Sequence, residues 1–395
     1  MPVAIGLLVS GLANFAFLRV GKNALGGDSA FAPVLSLWFA TFALAPGFFL
    51  PLEQELGRAL SSRRALGQGS RPVVEKVTRL GAILAAIVVL AVVIAVTFAS
   101  YSMVSLLPGD VVTAVLGENA TEADRVVARH ELHLDDPLPV RYGRWVAGAA
   151  TGDLGTSYRT HQPVGEAIGQ RIWVTLELVA LSQLIALALA IPMAIFSALK
   201  QGSWLDKALS GLQLGMLATP GYLVAIALMI VFAVKLGWFA TTGYTHFTDD
   251  PFGNLKSLLL PSVALGLEQV AIYARVLRTD LVNTFDQDFI WFARAKGNST
   301  SRIVTRHALR PSSIGLVTLT GVSVGRMIGG TVLVESIFAL PGLGRYTIDA
   351  INNRDFMALQ GAVVVLTVGF VLVNFFVDIL HGFIDPRIRT QASTT

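Results

Sequence analysis

Residues 80–107 form a run of 28 positions without one charged side chain, LGAILAAIVVLAVVIAVTFASYSMVSLL. A helix of roughly 20 apolar residues crosses the hydrocarbon core of a bilayer, so this run is long enough to span a membrane. The remainder of the chain agrees. Of 395 residues, 53% are hydrophobic and only 14% are charged, against about 25% charged in soluble domains. That supply of charge cannot cover a water-facing surface. A soluble enzyme and a disordered chain are excluded on that ground. The absence of cysteine excludes a disulfide scaffold, thiolate metal sites and redox pairs.

Five further runs meet the same length rule, at 174–199, 209–234, 258–277, 313–338 and 358–380. Two more precede the first, at 3–17 and 33–50. The expectation is therefore eight spans. Charge then orders the connections. Residues 51–79 carry six Lys/Arg against three Glu, and 283–311 carry Arg294, Lys296, Arg302, Arg306 and Arg310 against Asp286 and Asp288. The short connection at 200–208 holds Lys200 and Lys207, and the tail holds Arg387 and Arg389. By contrast, 108–170 has nine acids and five arginines. Lys/Arg excess marks the cytoplasmic side. The basic connections are placed inside and 108–170 outside, with both termini cytoplasmic. The net charge of +4 is read as this orientation signal, not as a nucleic-acid surface. No basic stretch precedes the apolar start MPVAIGLLVS, so a cleaved signal peptide is not expected.

The outer segment is too long for a plain connection. Thr121-Glu-Ala-Asp124 reads as a helix start with a capping-box pattern, and Asp136-Pro-Leu-Pro139 as the end of whatever helix follows. Tyr142 and Trp145 are expected at headgroup level as interface anchors. His130 and His133, three apart, read as a surface pair and not as a metal site. No Gly-x-x-x-x-Gly-Lys-[Ser/Thr] cradle and no His-Glu-x-x-His occurs, and no serine stands in a nucleophile-elbow context. Nothing argues for catalysis, a cofactor or a metal.

The segment from Phe289 to Pro311 reads as helix, glycine turn, helix. Gly297 is placed for a left-handed backbone, Ser299 or Thr300 caps the second helix, and Pro311 is expected to stop it. Ile303, Val304, His307 and Ala308 recur at helical spacing opposite a basic face. Such a rod suits either a lipid surface or the groove of a cytoplasmic partner. Charges within the apolar runs are costly. Helix-end snorkelling or structural pairing is expected for Arg275, Glu335 and Asp378. Glu177, Glu268 and Arg326 are candidates for a polar translocation path.

The 289–310 segment resembles the cytoplasmic EAA loop of type-1 ABC importer permeases. Leu107-Pro-Gly-Asp110, Gly152-Asp-Leu-Gly-Thr-Ser-Tyr158, Thr175-Leu-Glu-Leu178 and Ala293-Arg-Ala-Lys-Gly297 are similar to the dipeptide/oligopeptide/nickel permease family. So are His307-Ala-Leu-Arg310, Val334-Glu-Ser-Ile-Phe-Ala-Leu-Pro-Gly-Leu-Gly344 and Asp385-Pro-Arg387, in order over about residues 79–390. The resemblance implies an all-α integral membrane protein. Its core would be a six-helix type-1 ABC transmembrane domain in an ATP-driven importer of di- or oligopeptides, or of a small solute such as nickel. It implies a second permease, two ATPase subunits and an extracytoplasmic solute-binding protein as partners, in the cytoplasmic (inner) membrane. It places ATPase coupling on Ala293, Ala295, Lys296, Gly297, Ile303, His307 and Leu309. Trp291-Phe292 stands where that family usually carries polar residues, and the acid that often opens its motif is absent.

Residues 1–75 depart from the pattern. Phe49-Leu-Pro-Leu-Glu-Gln-Glu-Leu-Gly-Arg58 resembles the opening of a polysaccharide flippase, but only over two spans. The segment is read as an appended hairpin. It is followed by a first core span and outer segment (76–170), the transmembrane domain (171–382) and a cytoplasmic tail (383–395). A flippase or exporter, or a scaffold without transport, is the competing function.

Overall fold

The computed structural model describes single residues between 79 and 112, then residues 121–131, 135–353 and 355–384. The expected spans at 3–17 and 33–50, and the flippase-like stretch, lie outside the described residues. The chain divides into two compact units, 1–107 and 108–394. In the first, the described residues from 79 to 102 are helical. Thr97 and Ser102 each return a hydroxyl to the carbonyl four residues earlier, at 2.7 Å. An apolar helix hides side-chain donors in this way when no water is at hand.

In the second unit the described residues are helical, apart from turns, an irregular stretch at 236–250 and one isolated bridge between Thr156 and Pro163. Helix α1 (Glu122–Glu131) starts where the capping pattern indicated. Asp136-Pro-Leu-Pro139 opens a second helix, α2 (Leu138–Ala150), instead of only ending the first. Proline suits a first helical turn because the N–H it lacks would have no partner there. Tyr142 and Trp145 are buried and stacked 6.3 Å apart. They are packing residues, which corrects their expected place at a membrane surface.

Four described helices are long and apolar enough to span: α3 (Val164–Leu199), α6 (Pro251–Phe285), α8 (Thr300–Ile337) and α10 (Phe356–Ile384, of which Phe356–Val377 meets the criterion). Among the described residues a fifth crossing exists only as a bent pair, α4 (Trp204–Ala218) and α5 (Gly221–Lys235), which meet at 99°. The run at 209–234 reads as one straight span, and the structure breaks it. Pro220 disfavours helical backbone at the preceding residue, and Thr219 is extended at φ −95°, ψ 117°. Two short helices, α7 (Asp288–Ala295) and α9 (Leu343–Asn352), flank α8.

The core sits between α3 and α6. Ala186, Ala190, Ala194 and Ala198 recur every four residues on α3 and are buried with Tyr273, Leu277 and Leu281 of α6. Small side chains let two backbones approach where lipid offers no hydrophobic drive for association. Gly266 shows the limit, since a Cβ there would stand 2.8 Å from the Ser182 carbonyl oxygen. At mid-bundle Gln183 donates to the Thr320 carbonyl at 2.8 Å and to Ser323 at 3.0 Å. Tyr273 donates to Gln183 at 2.8 Å and also meets Ser323. This buried network joins α3, α6 and α8. A hydrogen bond that excludes water on all sides fixes register as well as adding stability.

Candidate functional site

Candidate sites lie at the two ends of the bundle. At the first, α8 finishes at Ile337 and the chain turns through Ala339-Leu-Pro-Gly into α9. Glu335 is fully buried. It accepts from the Thr175 hydroxyl at 2.7 Å and from the Arg345 backbone N–H at 3.0 Å. Thr175 in turn accepts from the Leu343 N–H at 2.9 Å. Structural pairing is thus the role found for Glu335. Ala339 is held at φ 53°, a conformation unfavourable for a residue with a Cβ. The Arg345 guanidinium donates to its carbonyl at 2.6 Å. At Gly344 a Cβ would lie 2.5 Å from Val332 Cα, so the motif's second glycine is required by close approach. Beside this turn Asp355 accepts from the Ser157 hydroxyl and from the N–H groups of Tyr158 and Ala358, each at 3.3 Å.

Glu177 lies at the same end. Its Oε2 accepts from the Tyr244 hydroxyl at 2.7 Å and from the Asn254 side-chain amide at 3.0 Å. Two cavities, of about 610 and 570 Å³, share Glu177 as a wall. Partial burial, then the adjacent Glu177 carboxylate, holds the Tyr244 hydroxyl well above its ordinary pKa, so it remains a donor. Glu268 and Arg326 occupy a different position. Both are exposed on the surface of this chain, within α6 and α8. Neither lines the two cavities that Glu177 walls.

The opposite end is built around the helix–glycine–helix segment. Lys296 closes α7 and Gly297 takes φ 76°, as its place in the sequence required, with open space where a Cβ would stand. The Asn298 side chain donates to the Ala293 carbonyl at 3.0 Å, and Ser299 caps the next helix by accepting from the Arg302 N–H at 3.4 Å. Ile290, Ala293, Ile303 and Ala308 are buried against α3 and α6. The apolar face of the expected rod therefore packs on this chain's own core, and neither lipid nor a partner can reach Ile303. His307 and Leu309 are half-buried, whereas Ala295, Lys296 and Gly297 are exposed.

Pro311 does not stop the helix. Residues Ile303–Ala308 form a π turn, and the Leu309 N–H reaches back five residues to Val304. The widened turn has already displaced the hydrogen-bond ladder before the proline arrives, so its missing donor breaks little. The helix continues to Ile337.

The outward surface of α7 is aromatic and basic. Phe289, Trp291 and Phe292 are 47%, 58% and 63% exposed. Arg294 stands 5.3 Å over the Trp291 ring and Lys296 4.5 Å over Phe292. The sequence marks Trp291-Phe292 as a departure, and the structure shows both rings turned outward. Behind this segment a bidentate pair fixes the α3–α4 connection to α6: Arg278 donates to Asp206 at 2.8 and 2.7 Å, and Gly202 N–H at 2.9 Å. Sequence reasoning missed this clasp, because Asp206 and Arg278 stand 72 positions apart.

Residues 190–390 match the model of the family described as binding-protein-dependent transport system inner membrane component, and 78–179 match its N-terminal companion. A Brucella abortus chain described as a peptide transport system permease protein is 38% identical over 298 residues, covering 75% of this chain and 95% of its own. The dipeptide transport system permease protein DppB of Alkalihalophilus pseudofirmus is 35% identical over 318 residues, covering 75% and 96%. Among solved structures, the inward-facing MetNI methionine ABC transporter aligns over 55% of this chain and 96% of its own, with a TM-score of 0.46 at 16% identity. The chain belongs to the binding-protein-dependent transport system inner membrane components, the permeases of ABC importers.

Proposed function

We propose that this chain is one permease of an ATP-driven importer that carries di- or oligopeptides into the cell by alternating access. The descriptions of its relatives support the solute class, with nickel or a similar small solute as the narrower variant. The proposed assembly pairs it with a second permease, two ATPase subunits and an extracytoplasmic solute-binding protein. ATP hydrolysis belongs to the ATPases. The proposed topology has eight spans with both termini cytoplasmic. Residues 1–75 form an appended hairpin ahead of a first core span and outer segment (76–170), a transmembrane domain (171–382) and a tail (383–395).

The observation that carries this reading is the build of the 288–310 segment. A docking element must be rigidly tied to the part it moves, and it must present side chains that a partner can grip. Here Ile290 and Ala293 root α7 in the core, and α7 runs through one turn into the 38-residue helix α8. A helix of that length extends about 57 Å. It ends at the Glu335–Thr175 junction, so a pull on α7 reaches the far end of the bundle. Phe289, Trp291 and Phe292 are the gripping groups, since exposed aromatic side chains beside an arginine are the residue types enriched at interfaces and their hot spots. Ile303 contributes by anchoring, and Lys296 and Gly297 by shaping the exposed turn. Glu268 and Arg326 face the second permease or the solute path, because a charge exposed to lipid inside a span is costly.

The test uses the complex reconstituted with loaded binding protein. Trp291→Ala with Phe292→Ala should lower stimulated ATP hydrolysis at least tenfold while leaving the purified permease pair intact. Stimulation within twofold of wild type, at equal subunit content, would remove the coupling role.

A further inference from the structure

We propose that Glu177 is a subsite for the terminal ammonium of the transported peptide, an inference that rests on the peptide-import reading above. The geometry is specific. Tyr244 and Asn254 both donate to Oε2, which orients the carboxylate and leaves Oε1 without a donor among the described residues. Asn254 is itself held by the Thr245 carbonyl at 2.8 Å, so the orienting group is fixed in turn. Glu177 is the one charged side chain shared by the walls of both cavities.

The larger cavity supplies aromatic walls from Trp173, Tyr244 and Phe247. An ammonium group gains from ring faces as well as from a carboxylate. The smaller cavity is apolar, lined by Leu181, Leu184, Leu255 and Leu258, and suits the side chain that follows an N-terminal ammonium. Arg171 lines the larger cavity as its like charge, with its guanidinium 4.7 Å over the Tyr346 ring. It lies six positions before Glu177 on the same helix, about 9 Å along the axis. An extended chain of two or three residues covers about 7–11 Å. Arg171 therefore repels an ammonium and sets which end of a short zwitterion meets Glu177.

A bare metal cation fits less well. It requires several hard ligands at once, and among the described residues no three His, Asp or Glu side chains converge. One carboxylate oxygen with aromatic and apolar neighbours is the surrounding of an organic ammonium.

The experiment uses the assembled permease–ATPase complex in nanodiscs without binding protein, titrated by saturation-transfer NMR with tri-alanine and with N-acetyl-tri-alanine. Wild type should bind tri-alanine at least tenfold more tightly than the acetylated form. Glu177→Gln keeps the shape of the side chain and should reduce that preference to within twofold. Tyr244→Phe releases the carboxylate from one donor and should reduce it about threefold. Equal affinity for both peptides in wild type, no binding of tri-alanine, or an unchanged preference in Glu177→Gln would overturn the proposal. The wild-type comparison decides even where a variant fails to assemble. Uptake of tri-alanine delivered by the binding protein into proteoliposomes separates the two readings. Absent uptake by wild type overturns peptide import itself, whereas normal uptake with no preference for a free ammonium overturns only the Glu177 subsite.

Discussion

Two helix–turn–helix segments in this chain look alike in sequence and differ in construction. Both the 335–345 turn and the 293–303 turn break a helix with glycine, and both place one residue at positive φ, Ala339 at 53° and Gly297 at 76°. The first is closed from within. A buried carboxylate sits beneath it, hydrogen bonds from Thr175 and Arg345 converge on that group, and Gly344 lies against the α8 backbone. The second is open. No atom lies within 4 Å of a Cβ at Gly297, and its neighbours Ala295 and Lys296 are exposed. The first turn is fixed by internal contacts and the second is free on one side, which is where the proposed coupling role falls. The same local signal therefore gives different environments, according to what packs against it.

Gly344→Ala against Gly297→Ala gives the largest expected contrast. The added Cβ at 344 meets backbone that cannot rotate away, and overpacking of that kind costs about 3 kcal/mol. At 297 only the left-handed conformation is penalised, by about 1 kcal/mol. Thermal unfolding of the detergent-purified protein, followed by tryptophan fluorescence, should show a clearly larger drop for the first. Equal shifts would mean that the open turn is closed in the assembled protein.

Glu335→Ala should come next. It leaves the Thr175 hydroxyl and the Arg345 N–H without their acceptor, and stranding buried partners costs about 1–3 kcal/mol. Glu335→Gln retains an acceptor oxygen and should lose less. The same melting measurement reads both, and an Ala variant as stable as wild type would show that Glu335 does not hold the junction together.

The mildest probe changes only accessibility. Because the chain has no cysteine, single cysteines report position without background. A cysteine at 300 should react with a membrane-impermeant maleimide only after the cells are opened, and one at 353 should react in intact cells. Labelling of 300 from outside would reverse the orientation assigned to the two turns.

Much of this was legible in the sequence because it depends on local physics. Gly297 had to be left-handed, and it is, since a helix that ends at Lys296 leaves few other conformations for the turn. The motif from Val334 to Gly344 was visible only as a resemblance; in the fold its second glycine, Gly344, is required where it meets the Val332 backbone, and its first, Gly342, where it meets the Glu335 side chain. Other expectations failed where neighbours decide. The periodicity of Ile303, Val304, His307 and Ala308 described an apolar face correctly, but pattern alone cannot tell whether that face meets lipid, a partner or the chain's own core. Pro311 looked terminal because an α-helix has no room for it, whereas a π turn does. Glu177 and Glu335 are both carboxylates near the end of an apolar run. One faces cavities and the other is wholly enclosed.

The sequence by itself determined membrane residence, the family and the approximate bounds of the four long helices α3, α6, α8 and α10, because these follow from the length of apolar runs and short ordered motifs. Only the tertiary structure decided which charge is structural and which is available, where the 209–234 run bends, and which face of the 289–310 segment is presented. Those outcomes depend on groups far apart in the chain, such as Asp206 with Arg278 and Thr175 with Glu335. A polar group withdrawn from water must find its partner wherever the fold brings one within hydrogen-bond reach, and no local pattern encodes that distance.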